Sequence, residues 1–148
     1  MIITTNENET VLEGEKFGRR LTSGSVVALY GGLGAGKTVF TRGLAMGLGI
    51  SDFVSSPTFT IVNEYPGNIP LFHFDMYRLE NDEELFDIGW DDYLDRGGVC
   101  VVEWADKVPK AFSCAADDAH KLFAVRIESM GDDTRHIDIS CEGGGFSC

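Results

Sequence analysis

The sequence predicts a single α/β domain of three layers, in which a mixed parallel and antiparallel sheet lies between helices. The apolar run Val26–Tyr30 is typical of a buried parallel strand, and a helical pattern follows it after a short glycine-rich segment. Strand-like segments within 58–74 and 122–140 flank turn residues and therefore indicate antiparallel hairpins. Because a hairpin joins antiparallel strands, we expect a sheet of mixed direction in one domain spanning residues 1–148.

The glycine-rich segment Gly31–Thr38 reads GGLGAGKT and fits the phosphate-binding pattern G-x-x-x-x-G-K-[ST]. Glycines allow successive backbone N–H groups to turn toward a phosphate. Lys37 adds a positive charge for the terminal phosphates, and the Thr38 hydroxyl is a ligand for Mg²⁺. The other residues expected to contact the phosphates are Leu33, Gly34, Ala35 and Gly36. A strand precedes this segment and a helix follows it, so the sequence predicts a P-loop NTPase-like fold.

The first half of the chain has clear signals for the remaining elements. Met1–Thr4 is expected to form a short strand, and Asn6 begins a helix that continues to about Leu21, because an acid follows this capping residue three positions later. The helix after the P-loop is predicted by apolar residues on one face: Phe40, Leu44 and Leu48. Thr58–Tyr65 and Ile69–Phe74 are expected to pair as the first hairpin.

The second half begins with an acidic segment, 80–95, whose interspersed apolar residues predict two short amphipathic helices. Such a segment is usually a solvated face, and the alternative is an acidic docking surface. We expect a strand over Val99–Val102, a polar loop from Pro109 to Asp118 and a second hairpin within 122–140. Residues 142–148 are expected to form a flexible tail.

The charge of the chain limits its partners. It has 12 Lys and Arg against 24 Asp and Glu, a net charge of −12. Proteins that bind nucleic acid through their own surface usually carry a basic patch, so we expect no direct binding of that kind. No apolar run approaches the roughly 20 residues that span a bilayer, and no signal-peptide pattern occurs at the N-terminus. We therefore expect a cytoplasmic protein without a membrane partner.

Two apolar strands end in an acid, Asp75 after LFHF and Glu103 after VCVV. A P-loop needs an acidic side chain at the end of a neighbouring strand to hold Mg²⁺ directly or through water. Spacing alone does not rank the two candidates. The guanine-specifying pattern [NT]-K-x-D is absent from the sequence, which favours adenine over guanine. The expected ligands are ATP and Mg²⁺.

Four motifs in this order, GGLGAGKT, SPTFT, HFDMYRL and VVEW, resemble the TsaE (YjeE) family. Its members are small bacterial P-loop ATPases needed to make threonylcarbamoyladenosine at position 37 of tRNA. The resemblance implies that Lys37 and Thr38 bind phosphate and Mg²⁺ and that Glu103 is the second Mg²⁺ ligand. It assigns Asp75 to a switch-like segment that positions water or metal, and the catalytic candidate Thr60 to another, SPTFT.

The same resemblance implies a position for the base. Trp104 is expected near the adenine, and the stretch around Glu7 and the turn around Asp133 are expected to wall the base pocket. One residue departs from the family pattern, since many members have Asp where this chain has Gly32. We expect nucleotide binding to survive this change, whereas its effect on turnover stays open.

The resemblance also implies two protein partners, TsaD and TsaB, with tRNA contacted only indirectly through their complex. The protein is then a weak ATPase that depends on these partners. One alternative is a nucleotide-dependent interaction module whose hydrolysis is incidental, suggested by switch-like loops beside the acidic segment. The other is a small-molecule P-loop kinase, although the scattered arginines form no lid-like cluster in the sequence.

Overall fold

The computed structural model describes residues 1–57, 60–115 and 121–142. The strands in these residues are β1 (Ile2–Thr4), β2 (Ser25–Tyr30), β3 (Val62–Tyr65), β4 (Leu71–Asp75), β5 (Val99–Glu103), β6 (Lys121–Ser129) and β7 (Arg135–Glu142). The helices are α1 (Glu7–Arg20), α2 (Lys37–Gly47), α3 (Asp82–Ile88), α4 (Trp90–Leu94) and α5 (Pro109–Ala115), with a 3-10 turn at Ala105–Lys107. Within the described residues, none of the helices has the length and apolar character needed to cross a bilayer.

The strands form one sheet in the order β1-β7-β6-β2-β5-β4-β3. Strands β6, β2, β5 and β4 are parallel, whereas β1–β7, β6–β7 and β3–β4 are antiparallel pairs. The predicted mixed sheet and both predicted hairpins are therefore confirmed. Asp75 pairs in register with Glu103, and Glu103 pairs with Leu29 of β2. The two acids and the start of the P-loop thus lie at the same edge of the sheet.

Both faces of the sheet are covered, because alternate residues of β2 contact different cores. Val27 packs in a cluster with Phe17 of α1 and Phe40 of α2. The neighbouring Val26 belongs to a second cluster that includes Trp90 of α4. This burial on both sides explains the uninterrupted apolar sequence of β2 and gives the three layers that the sequence predicts.

Helices α1 and α2 approach each other through four glycines, which we call the glycine seam: Gly14, Gly18, Gly43 and Gly47. A Cβ atom on Gly14 would lie 2.2 Å from the carbonyl oxygen of Phe40. A Cβ atom on Gly43 would lie 2.0 Å from the carbonyl oxygen of Val11. A side chain at either position would force the helices apart. The seam therefore fixes α2, and with it the P-loop, against α1.

The first hairpin begins later than predicted. Strand β3 starts at Val62 rather than Thr58, because Ile61 adopts a φ of 70°, outside the extended region. Its N–H donates to the carbonyl of Pro57 at 2.6 Å, which closes a turn before the strand. The first two residues of the predicted strand, 58 and 59, lie outside the described residues.

Two predictions in the second half also need correction. Pro109–Ala115 is helix α5 rather than polar loop, and Ala111 and Phe112 are buried in the core that includes Trp90. The predicted remainder of that loop, 116–118, lies outside the described residues. Glu142, the first residue of the predicted tail, ends strand β7, and the rest of that segment, 143–148, lies outside the described residues.

Candidate functional site

A cavity of about 390 Å³ opens at the carboxyl ends of β2, β5 and β4. Its walls come from the P-loop, the start of α2, the loop before β3, the ends of β4 and β5, and the start of β7. The residues that line it are Gly32, Leu33, Gly34, Ala35, Gly36, Lys37, Thr38, Val39, Ser56, Asp75, Tyr77, Glu103, Trp104 and Arg135. In open α/β sheets, ligands bind at this edge, so the cavity is the candidate functional site.

The P-loop takes a conformation that depends on glycine. Gly34 and Gly36 have φ angles of 73° and 103°, in the left-handed region that side chains disfavour. Gly36 directly precedes the first residue of α2, so the free N–H groups at the start of that helix lie beside the cavity. The predicted contacts Leu33, Gly34, Ala35 and Gly36 all line it. This arrangement suits an anionic group.

Lys37 lies at the base of the cavity with its charge partly buried. Its Nζ donates to the carbonyl oxygens of Gly31 at 2.5 Å and Gly32 at 3.1 Å, and lies 3.9 Å from the centre of the Trp104 ring. Burial lowers the pKa of the Lys37 ammonium, and the carboxylate of Glu103 acts in the opposite direction. The loop thus holds a partly desolvated cation beside its own backbone donors, as a phosphate site requires.

Glu103 is buried at the end of β5 and contacts the P-loop helix. The Thr38 hydroxyl donates to Glu103 Oε2 at 3.3 Å, and the His73 ring nitrogen Nε2 lies 2.5 Å from the same oxygen. His73 Nδ1 is buried without a hydrogen-bond partner among the described residues. The Nε2–H tautomer fits this environment, because it donates to the carboxylate and leaves only a lone pair unpaired. A hydroxyl and a carboxylate are oxygen donors that Mg²⁺ prefers.

Asp75, the second acid, is connected to the other side of the cavity. Its Oδ1 accepts the N–H of Tyr77 at 2.9 Å, and its Oδ2 accepts the hydroxyl of Ser56 at 3.4 Å. Its own N–H donates to the carbonyl of Ile61 at 2.9 Å. Asp75 therefore joins the loop before β3 to the site, whereas Glu103 joins the site to α2. This geometry favours Glu103 over Asp75 as the partner of Thr38 in holding a metal.

Thr60, the catalytic candidate of the SPTFT motif, lies outside the cavity. Its side chain is exposed and its hydroxyl donates to Asn63 Oδ1 at 2.7 Å, and it is not among the residues that line the cavity. The turn at Ile61 directs this part of the chain toward β3 instead. Ser56, earlier in the same loop, provides the hydroxyl that contacts Asp75. The other threonine of the SPTFT motif, at 58, lies outside the described residues.

The residues expected around the base separate into two groups. Glu7 and Asp133 line a smaller recess of about 60 Å³ that shares Gly36, Val39 and Arg135 with the main cavity. Trp104 does not line this recess, because its ring packs on the Lys37 ammonium and lies 4.9 Å from the ring of Tyr77. Its backbone is in the left-handed region, with φ 56° and ψ 42°. Trp104 thus lies at the lysine end of the site rather than beside Glu7.

Outside the motif Gly31–Thr38, four residues of the cavity were not predicted: Val39, Ser56, Tyr77 and Arg135. Val39 directly follows the motif. Ser56 and Tyr77 lie inside the motifs SPTFT and HFDMYRL, so their neighbours in the sequence are a signal that points to them. Arg135 is 101 residues from the P-loop residue whose carbonyl it contacts, and it follows an ordinary hairpin turn. Only the folded arrangement of β7 beside the P-loop brings it to the site.

Comparisons with known proteins agree with the motifs. The model of the family described as "Threonylcarbamoyl adenosine biosynthesis protein TsaE" matches residues 4–137. A tRNA threonylcarbamoyladenosine biosynthesis protein TsaE from Treponema pallidum is 38% identical over 93% of this chain and 98% of its own length. A protein of the same name from Bacillus subtilis is 40% identical over 97% of this chain and 86% of its own length.

The fold agrees as well. The crystal structure of YdiB from Bacillus subtilis has a TM-score of 0.75 with this structure at 36% sequence identity. The match covers 96% of this chain and 84% of YdiB. Because the family model and the full-length relatives match over nearly the whole chain, the resemblance drawn from four motifs is confirmed. The chain belongs to the TsaE family.

Proposed function

We propose that this protein binds ATP with Mg²⁺ and hydrolyses the ATP in support of threonylcarbamoyladenosine formation on tRNA. One observation carries the proposal: a P-loop lysine, a P-loop threonine and two strand-end acids line a single cavity. The acids come from adjacent parallel strands in register, so both lie at the same depth in the cavity. The names of the relatives in Treponema pallidum and Bacillus subtilis supply the pathway.

The residues present fit a magnesium ion. The Thr38 hydroxyl and the Glu103 carboxylate, 3.3 Å apart, would hold it. Mg²⁺ commonly takes few protein ligands and completes its shell with water and phosphate oxygens. When bound, the ion would neutralise charge on the terminal phosphates of ATP.

The chain supplies the remaining chemistry through position and charge. The Lys37 ammonium and the backbone N–H groups before α2 would stabilise the phosphate oxygens as negative charge develops there. Asp75 is assigned to orienting the attacking water, since the Tyr77 N–H holds one of its oxygens at 2.9 Å and the other oxygen has only a longer contact, 3.4 Å, with the Ser56 hydroxyl. Trp104 covers the Lys37 ammonium on one side, which limits the contact of water with that charge. Catalysis of this kind needs no strong general base.

The protein partners belong to this proposal. TsaD and TsaB are the components with which the family resemblance associates this protein, and tRNA would be contacted through them. The net charge of −12 supports this arrangement, because it opposes direct binding of a polyanion.

Reconstitution tests the proposal. Threonylcarbamoyladenosine on tRNA is measured with purified TsaD and TsaB in the presence of this protein, of Lys37→Ala, or of neither, while phosphate release is followed in parallel. We expect the intact protein to release phosphate and to raise tRNA modification, and Lys37→Ala to do neither. Equal phosphate release by the intact protein and Lys37→Ala would show that this cavity is not the ATPase site.

A variant that binds ATP but does not hydrolyse it separates this proposal from the interaction-module alternative. If Asp75→Asn retains ATP binding, loses turnover and still supports modification, hydrolysis is incidental and the protein acts through its ATP-bound form. Loss of modification together with turnover supports the proposal as stated. Transfer of phosphate from ATP to a small-molecule acceptor would support the kinase alternative.

A further inference from the structure

Arg135, the first residue of β7, reaches from the C-terminal hairpin onto the P-loop. Its Nη1 donates to the carbonyl oxygens of Asp132 at 3.1 Å and Thr134 at 3.0 Å. Its Nη2 donates to the carbonyl oxygen of Gly34 at 3.3 Å. Three backbone acceptors therefore fix the plane of the guanidinium, two on its own turn and one on the phosphate-binding loop.

The guanidinium lies where the two cavities meet. Arg135 lines both the main cavity and the smaller recess that contains Glu7 and Asp133. Its Nε lies 3.5 Å from the position that a Cβ atom on Gly36 would take, so the side chain lies directly against the loop. Lys37, by contrast, lines the main cavity and not the recess. Lys37 and Arg135 both line the main cavity, but only Arg135 also borders the recess.

The charge of Arg135 has no anionic partner within the described residues. Its three acceptors are neutral carbonyls, and none of the ion pairs found there includes it. Carbonyl groups orient a guanidinium without neutralising it. In a protein of net charge −12, an oriented cation beside the P-loop that forms no ion pair among the described residues is a candidate for binding an anionic part of the ligand.

The recess beyond Arg135 has the opposite character. Glu7 and Asp133 line it together with the hydroxyl-bearing Thr10. Carboxylates repel phosphate groups but accept hydrogen bonds from the hydroxyl and amino groups of a nucleoside. The charge pattern therefore changes at Arg135, from donors and cations on the P-loop side to acceptors on the side of the recess.

We propose that Arg135 is a nucleotide-binding residue that contacts the α-phosphate of ATP and so directs the nucleoside toward the recess lined by Glu7 and Asp133. The contact does not involve the γ-phosphate, so it contributes equally to ATP and ADP. Because the contact is the same in the bound substrate and in the transition state, its loss raises KM and leaves kcat nearly unchanged. This inference rests on the proposed nucleotide function and adds the residue that joins the phosphate and nucleoside ends of the site.

Titration calorimetry with ATP, ADP and inorganic tripolyphosphate tests it. We compare Arg135→Gln and Arg135→Lys with the intact protein. The matched control is Arg126→Gln on the same hairpin, because the exposed Arg126 guanidinium lies over the Tyr30 ring and lines neither the cavity nor the recess. Arg135→Gln should weaken ATP and ADP binding by the same factor, about tenfold, and Arg135→Lys by about threefold. Tripolyphosphate binding should weaken with them, and Arg126→Gln should bind all three like the intact protein.

Three results would overturn the inference. Arg135→Gln with the affinities of Arg126→Gln would show that the guanidinium does not touch the ligand. A loss of affinity for ATP alone would show that Arg135 contacts the γ-phosphate. Unchanged affinity for tripolyphosphate would show that it contacts the nucleoside. If Arg135→Gln does not fold, the pair Arg135→Lys and Arg126→Lys decides in the same way. A protein that binds no nucleotide even when intact would instead refute the proposed function.

Discussion

The P-loop and the loop before β3 reach the same cavity but are held by different kinds of contact. The P-loop is fixed by backbone geometry, through Gly34 and Gly36 in left-handed conformations and through the glycine seam behind α2. In the described part of the loop that ends at Ile61, long side-chain contacts such as Ser56 to Asp75 at 3.4 Å add to the backbone hydrogen bonds at Ile61. Backbone packing resists change, whereas a few weak polar contacts exchange readily with water or a ligand. We therefore expect the P-loop to be the constant wall of the site and the loop before β3 to be the responsive wall.

The largest effect is expected at the constant wall. Gly43→Ala places a methyl group 2.0 Å from the carbonyl oxygen of Val11, so it should lower the free energy of unfolding by about 3 kcal/mol. Urea denaturation measures the loss. Gly32→Ala is the control, because a Cβ atom there meets nothing within 4 Å, and it should change stability by less than about 0.5 kcal/mol. Equal stability of the two variants would contradict the close packing of α1 and α2.

Substitutions of Glu103 and Asp75 should change ATP turnover in different ways. Glu103→Gln replaces the carboxylate that contacts Thr38 with a neutral amide. The Mg²⁺ concentration for half-maximal ATP turnover should therefore rise about tenfold or more. Asp75→Asn should lower kcat by about tenfold or more at saturating Mg²⁺, with a smaller change in the Mg²⁺ requirement. Turnover measured across a Mg²⁺ series distinguishes them. The opposite pattern would exchange the roles of the two acids.

A smaller effect is expected at the responsive wall. Ser56→Ala removes the hydroxyl that contacts Asp75 and should increase amide hydrogen exchange in the loop 51–57 about fivefold, because one net hydrogen bond contributes about 1 kcal/mol. The amides of α2 should be unaffected. Ser51→Ala, an exposed change in the same loop, is the control. Equal exchange in both variants would show that the contact with Asp75 does not hold the loop.

The smallest effect concerns the ion pair between Glu64 of β3 and Arg96, which follows α4. Glu64 accepts from Arg96 at 2.7 Å and from the Tyr93 hydroxyl, and both contacts lower the Glu64 pKa below 4.5. Both partners of the ion pair are nearly half exposed, so Glu64→Gln should cost less than about 0.5 kcal/mol at neutral pH.

The pH dependence of this cost has a definite sign. Because the pKa of Glu64 is lower in the folded protein, the stabilisation is present above pH 4.5 and is lost as the pH falls through the folded value. Chemical denaturation at pH 7 and below pH 4.5 measures the difference in unfolding free energy between the intact protein and Glu64→Gln, and this difference should shrink at the lower pH. A difference that grows on acidification would contradict the assignment.

The sequence was most informative at the P-loop, where the conformation of the backbone depends directly on the residue types. The P-loop conformation depends on glycine at fixed spacing, so GGLGAGKT predicts the strand, the loop, the helix and the contacts at Lys37 and Thr38 together. The strand-end acids were also predictable, because parallel strands end at one edge of a sheet. Their ranking was not, since it depends on the hydrogen bond between Thr38 and Glu103.

The sequence was least informative where distant segments meet. Trp104 follows a strand-end acid, and nothing in its neighbours shows that a left-handed backbone brings its ring onto Lys37. The turn at Ile61, which separates Thr60 from the cavity, has an ordinary β-branched sequence that favours a strand. Arg135 reaches the P-loop only because β7 folds back beside β6.

Gly32 contacts Lys37 through its carbonyl oxygen, and the direction in which a side chain would project is open space. The residue at this position can therefore change without rebuilding the phosphate cradle. An aspartate here would add a negative charge beside the lysine while leaving the backbone acceptor in place. The proposed phosphate contacts come from the main chain of the loop, so a side chain at position 32 can change the electrostatics of the site without disturbing them.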